Sequence, residues 1–386
     1  MTFQMFILFL FFLDIFLPTN GYLLPNTTLR LAAEFSGGMY HLEFSMGKPP
    51  KPVKAVLDTG SSLSWIMCDP RGNPIYNPKT SKTYHKIACK NPLCELGKYA
   101  ENCTEFCTYS YTYNDGHYIK GTLVNETLSF GKIEVPNMVI GCSTDTNLLG
   151  EPGIMGFGLT NFSLVGQLGL TQFSICLSSK KEVKSHVFFG SLADIKKGSP
   201  PSQPILTVPI VSHSNKSSDY WVALKAISIG KTYVETSWEA TVKPNGEGLI
   251  AVDTGSDMCS FAMATYNVLK QAFKDEVKLP MVQNYKVGVG EGICFQIPAG
   301  KISNESSTSL TDGMPMVVYH LDGVDMKFSN DRFYEYDEKE KLVCVKIRGM
   351  KRKLSLWGNY QMKNMHILFD LKDMKLSFAH TQCHKL

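Results

Sequence analysis

The sequence predicts a mainly β protein built as two similar lobes. Three observations carry this. Short apolar or alternating runs recur along the whole chain, one Asp-Thr-Gly-Ser phrase is written twice, and each copy is followed at a similar distance by an apolar-apolar-Gly run. With 386 residues, 44% hydrophobic and 19% charged, the chain is long for one domain and apolar enough for two packed cores. That composition gives no sign of wholesale disorder.

The β content rests on runs such as HLEFSMG, VKAVLD, SYTY, GTLVNETLSF, MVIG, HVFFG, YWVALKAISIG, GLIAVD, MVVYHL, LVCVKI and HILFDL, which Gly, Pro, Asn and Asp separate. Helical spacing is scarce. TYNVLKQAFKDEV over 265–277 is the best helix, and FSLVGQLGL is a shorter second. Strands and helices do not alternate as a parallel sheet requires.

The two lobes rest on the repeat. AVLDTGSSLSW spans Ala55 to Trp65, IAVDTGSDMCS spans Ile250 to Ser260, and Asp58 and Asp253 stand 195 residues apart. After Asp58, GIMGFG brings Ile154, Met155 and Gly156; after Asp253, LSLWGNY brings Leu356, Trp357 and Gly358. The separations, 96 residues to Ile154 and 103 to Leu356, are close and the order is the same, which marks an internal duplication. The Pro-rich SPPSQP places a boundary near Pro200, giving lobes over 40–200 and 201–386.

The first 20 residues read as a secretory signal rather than an anchor or a core helix. The apolar stretch Met5 to Leu17 is broken only by Asp14 and is too short to span a bilayer. Residues 21–39 then form a short pro-like segment. Six Asn-x-Ser/Thr sequons (Asn26, Asn102, Asn125, Asn161, Asn215 and Asn304) agree with export. So do eleven cysteines, seven of them between Cys68 and Cys176, which in that compartment read as disulfides and not as zinc ligands. A net charge of +4 gives no argument for nucleic acid, and the short basic run RGMKRK reads as a solvated loop or hairpin. No second membrane-length stretch follows, so the expected protein is secreted, to the apoplast or the vacuole, and free of the membrane once the signal is cleaved.

An Asp that ends an apolar strand and precedes Thr-Gly lies at a tight turn, and the glycine lets another chain approach closely. Thr59 and Thr254 are placed to bond across to one another, and the hydroxyls of Ser61 and Ser256 to bond the carboxylates. Two such loops brought together, with Gly60 and Gly255 at their tips, make two carboxyls share one proton, because like charges that close cannot both ionise. The ionised member then takes a proton from water while the other donates to a peptide carbonyl oxygen. A single Asp-Thr-Gly would read as an ordinary turn. A glycosidase also needs two carboxylates, but it has no need of this repeated loop.

The runs DTGSSLSWIMC, CTYSYTYNDG, GTLVNETLSFG, VIGC, FSICL, VFFG, VDTGSDM and LWGNYQMKNMHILFDLKDMKLSFAHTQC resemble the pepsin-like aspartic endopeptidases, in their plant nepenthesin-like branch, from Tyr40 to Cys383. The resemblance implies a bilobal β fold with a cleft between the lobes for an extended peptide, no cofactor and no metal. It makes Asp58 and Asp253 the catalytic pair, Tyr113 the tyrosine of a hairpin flap over the substrate, and Trp65 its support. It pairs Cys294 with Cys344 and Cys176 with Cys383. The six cysteines 68, 89, 94, 103, 107 and 142 then pair among themselves with open connectivity, and Cys259 is left as a buried free thiol. A monomer is the simplest expectation for two lobes that already form one site.

The chain departs from the family in four places. Asn114 and His117 stand in the flap where relatives have Gly and Ser. The second loop adds Asp257, expected to face away from the dyad. The cysteine-rich segment after the first loop keeps only Cys68, and the pro-like segment is short for the family. A catalytically idle binding protein on the same fold, like the plant inhibitors of microbial glycoside hydrolases, is the competing reading; the intact Asp-Thr-Gly loops favour the enzyme.

Overall fold

Alternation of apolar and polar residues forces a strand to bury one face, and most of this chain is spent doing so. The computed structural model describes residues 28–68, 75–96, 103–113, 116–148, 150–197, 204–211, 218–236, 248–287, 290–298, 310–311, 313–351 and 355–386. The signal, four of the six sequons and Asn114 lie outside them, as does most of the Pro-rich boundary. The described strands form two large sheets, one of 14 and one of 11 strands.

The repeat seen in the sequence is a repeat in three dimensions. Strand Lys51–Asp58 runs parallel to Gly153–Gly156, with Val56 opposite Ile154, Leu57 opposite Met155 and Asp58 opposite Gly156. In the second half, Leu249–Val252 runs parallel to Leu356–Trp357, with Ala251 opposite Leu356 and Val252 opposite Trp357. Each apolar-apolar-Gly run is therefore the parallel neighbour of the strand that ends in its Asp-Thr-Gly loop. Gly153–Gly156, Leu249–Val252 and the Ala55–Asp58 end of the first strand are wholly buried, which explains their continuous apolar runs.

The halves are also joined by a sheet. Met365–Asp370 and Lys375–His380, both late in the chain, continue the first sheet by pairing onto Gln172–Cys176, with Ile175 opposite Ile367. Leu206–Pro209 adds to the same edge. Leu29–Ser36, inside the segment that the sequence sets apart as pro-like, is an integral strand between Ser185–Phe189 and Met39–Met46. Beneath this shared sheet, Phe173 stacks on Phe369 at 4.5 Å, Tyr220 meets Phe369 edge-on at 4.7 Å, and the Tyr220 hydroxyl donates to the Phe157 carbonyl at 2.6 Å. Contacts of this kind resist sliding of one half over the other.

The longest helix, Met263–Glu276, buries Thr265, Tyr266, Leu269, Ala272 and Phe273 along one face, close to the span its spacing predicts. The shorter FSLVGQLGL run yields Leu164–Gln167, capped by the Ser163 hydroxyl on the Gly166 N–H. Five disulfides are present. Cys68–Cys142, Cys89–Cys103 and Cys94–Cys107 stay within the six first-half cysteines; Cys176–Cys383 ties the first half to the end of the chain, and Cys294–Cys344 bridges neighbouring strands. Cys259 is free and fully buried. Of the two described sequons, Asn161 is exposed before a helix, while Asn125 is half-buried in a strand paired on both edges.

Candidate active site

The two Asp-Thr-Gly loops meet where the halves join, and the threonines lock them together. The Thr59 N–H donates to Thr254 Oγ1 and the Thr254 N–H to Thr59 Oγ1, each at 3.0 Å. The hydroxyls complete the exchange, Thr59 donating to the Val252 carbonyl at 2.8 Å and Thr254 to the Leu57 carbonyl at 2.7 Å. All six groups of this two-fold pattern are satisfied inside the protein, which buried polar groups require. Both threonines are fully buried.

Each aspartate is held by its own loop in the same way. Asp58 accepts from the Gly60 N–H at 2.8 Å and the Ser61 hydroxyl at 2.5 Å; Asp253 accepts from the Gly255 N–H and the Ser256 hydroxyl, both at 2.8 Å. The glycines permit the close approach. A Cβ on Gly60 would lie 2.7 Å from Asp253 Oδ1, and one on Gly255 would lie 2.5 Å from Asp58 Oδ1, so each glycine faces the opposite carboxyl. Among the described residues, the repeat thus places both carboxyls face to face.

Their electrostatics follow from that placement. Burial, and then the charge of Asp253, push the Asp58 carboxyl well above the usual range. Burial raises Asp253 as well, opposed by the Ser256 hydroxyl, Asp58, the Gly255 N–H and the Arg348 charge. The two carboxyls are close enough to titrate as one unit, so across an acid range the pair holds a single shared proton.

The hairpin formed by Thr108–Thr112 and Tyr118–Phe130 carries Tyr113 at its end. The Tyr113 N–H donates to the His117 carbonyl at 2.7 Å, the Gly116 N–H to the Tyr113 carbonyl at 3.1 Å, and Gly116 takes a positive φ of 94° that suits glycine in a tight turn. The Trp65 indole N–H donates to the Tyr113 hydroxyl at 2.7 Å, and Tyr111 meets the Tyr113 ring edge-on at 4.8 Å. Burial, and then the Asp58 carboxyl, push the Tyr113 phenol well up. His117 is half-buried.

Sequence reasoning missed two residues at this site. Asn359, next to Gly358 in the LWGNY run, donates through Nδ2 to the Gly38 carbonyl at 3.0 Å and the Thr254 carbonyl at 3.2 Å. It pins the first hairpin turn to the second loop, and its place beside the repeated apolar-apolar-Gly run was the available signal. Arg348 reaches Asp257 at 3.0 Å, so the extra carboxylate of the second loop is engaged by a cation.

One other cluster has catalytic residue types. Ser228 Oγ lies 2.7 Å from His320 Nε2, and His320 Nδ1 lies 2.8 Å from Asp325 Oδ1. The strand bearing Ser228 is paired on both edges, so its amides are spent on the sheet and give no oxyanion donors. The cluster holds three strands together.

Comparisons with known proteins agree with this geometry. A family model described as Xylanase inhibitor N-terminal matches residues 40–191, and one described as Xylanase inhibitor C-terminal matches residues 219–380. The chain is 30% identical to aspartic proteinase nepenthesin-1 of Nepenthes gracilis over 359 residues, covering 90% of this chain and 78% of that protein. It is 28% identical to nepenthesin-2 of the same plant over 377 residues, covering 94% and 82%. Among solved structures it superposes on the basic 7S globulin from soybean with a TM-score of 0.71 at 19% identity, over 93% of this chain and 98% of that one, a likeness of fold alone. The chain belongs to the plant pepsin-like aspartic proteinase family, in its nepenthesin-like branch.

Proposed function

We propose that the protein is a secreted aspartic endopeptidase that cleaves peptide bonds in acid through a water activated by Asp58 and Asp253. The observation that carries this reading is the face-to-face carboxyl pair with its reciprocal threonine lock. Asp253, ionised, serves as the base that takes a proton from water. Asp58, protonated, donates to the carbonyl oxygen as the tetrahedral intermediate forms. Below the first titration step of the pair there is no base; above the second there is no acid. Activity is therefore bell-shaped and confined to acid.

Tyr113 closes over an extended peptide from the hairpin, with Trp65 holding its hydroxyl. Gly60 and Gly255 leave the space in which the carboxyls and the peptide meet. Peptides and proteins are the substrates, the working form is a monomer, and the apoplast or the vacuole is the site of action. Among the described residues, no helix is long and apolar enough to cross a membrane.

A binding protein with an idle dyad is the second reading, favoured by the xylanase-inhibitor descriptions of the two matching models. Replacing either aspartate separates the two. Asp58→Asn or Asp253→Asn abolishes cleavage of a denatured protein in acid while the fold is kept, and hydrolysis retained by either variant contradicts the dyad mechanism.

A further inference from the structure

The second catalytic loop carries an acid that the dyad chemistry does not use. Asp257 follows Ser256, and the backbone on either side of it is fixed: the Asn359 N–H donates to the Ser256 carbonyl at 2.8 Å and the Tyr360 N–H to the Asp257 carbonyl at 3.2 Å. An unpaired carboxylate four residues from Asp253 would add a third negative charge to a buried pair that already shares a proton.

The chain answers that charge from the strand Leu342–Met350. Arg348 stands opposite Ser260 in the neighbouring parallel strand and reaches back to the loop, placing Nη2 3.0 Å from Asp257 Oδ1. Its side chain is only 18% exposed, so water screens its field weakly. That field extends past Asp257: burial raises both Asp253 and the Cys259 thiol, and the Arg348 charge is the last of the influences that oppose it. Arg348 belongs to the basic run RGMKRK, read from sequence as a solvated loop or hairpin.

We propose that Arg348 and Asp257 form a positioning pair for the dyad, in which the guanidinium favours the ionised Asp253 and Asp257 offsets part of its charge. Two opposite charges of this kind act as a fixed setting on the acid range in which the dyad holds one proton. Among the described residues, the other groups that act on the dyad are these. Asp58 faces Asp253 from the opposite loop, Gly255 and Ser256 donate to it from its own loop, and Tyr113 faces Asp58 from the hairpin. Cys259 is pushed up to about 12 by burial and stays neutral. Along the same surface Lys270 is paired with Glu291 at 3.5 Å and Lys346 with Glu335 at 2.7 Å.

The signs are opposite for the two partners. Arg348→Met removes a positive charge and leaves Asp257 unopposed, so both titration steps of the dyad move up by roughly half a pH unit, less than a directly bonded partner produces. Asp257→Asn leaves Arg348 uncompensated and moves both steps down. Arg348→Lys keeps the charge and stays near the wild-type values, and the charge-neutral double variant Arg348→Met with Asp257→Asn returns toward them.

The direct readout is the titration of the dyad carboxyl carbons in ¹³C-aspartate-labelled protein, assigned through Asp58→Asn and Asp253→Asn. It needs no turnover, so it decides this proposal even if the protein cleaves nothing. The pH profile of kcat/KM then rests on the endopeptidase reading and must shift in the same directions. Asp257 is partly exposed, so Asp257→Asn keeps the test open if Arg348→Met fails to fold. Opposite shifts in the single variants support the pair. Unchanged steps, or single variants that shift the same way as general loosening would cause, overturn it.

Discussion

The indole nitrogen of Trp65 donates a hydrogen bond to the hydroxyl of Tyr113 across 2.7 Å, tying the strand that follows the first catalytic loop to the end of the hairpin above it. Trp65 is fully buried, so this bond positions a partly exposed tyrosine from a rigid base. Trp65→Phe removes the donor and retains much of the packing. A neutral hydrogen bond is worth about 1 kcal/mol net, so kcat/KM falls by about fivefold. Tyr113→Phe falls by a similar factor, and the double variant is no worse than the larger single one because both remove one contact. Additive losses in steady-state assays contradict a shared role.

The threonine lock predicts a stability effect larger than that of an ordinary surface hydroxyl. Thr254→Val leaves the Thr59 N–H and the Leu57 carbonyl buried without a partner. Each such group costs about 1–3 kcal/mol. The midpoint in a denaturant titration falls accordingly, and activity falls further because the loops lose their mutual register. Gly255→Ala acts at the same place through sterics, since its Cβ would meet the Asp58 carboxyl. Its loss of activity exceeds its loss of stability. A Gly255→Ala variant with near wild-type turnover would show that the carboxyls do not approach as closely as described.

The dyad also sets a pH dependence of stability. Both carboxyls are raised in the folded state, so folding binds a proton more tightly than the unfolded chain does. Their contribution is most favourable below the ordinary carboxylate range and is lost as pH rises through the folded-state values. Asp58→Asn removes that loss. Its melting temperature exceeds the wild type by roughly 2–4 °C at neutral pH, and the gap closes in acid. Thermal melts across that range check it; a gap that widens in acid contradicts the sign.

The duplicated loops were legible because their chemistry is local. Asp-Thr-Gly-Ser and its later apolar-apolar-Gly partner are short phrases, and the parallel pairs Asp58 with Gly156 and Val252 with Trp357 follow from their common order. The strands were legible from alternation, as in HILFDL at 366–371. Their partners were not. Alternation states that Met365–Asp370 has a buried face and is silent on which strand lies beside it, and the structure pairs it with Gln172–Cys176 across the halves. The same limit hid the strand Leu29–Ser36 inside the short segment between the signal and Tyr40. Arg348 and Asp257 were visible singly, one in a basic run and one in a loop. Only the placement of Arg348 opposite Ser260 brings them within 3.0 Å.

On the proposed mechanism, Asp58 and Asp253 act as one proton-sharing pair on a peptide bond. The most direct test is cleavage of a denatured protein by the purified, disulfide-intact chain, scanned from about pH 2 to 7 with and without the statine inhibitor pepstatin. A proton-sharing pair gives a bell-shaped acid optimum that pepstatin abolishes and that Asp253→Asn lacks. A folded protein that cleaves nothing anywhere in that range, or one whose cleavage survives both pepstatin and Asp253→Asn, contradicts it.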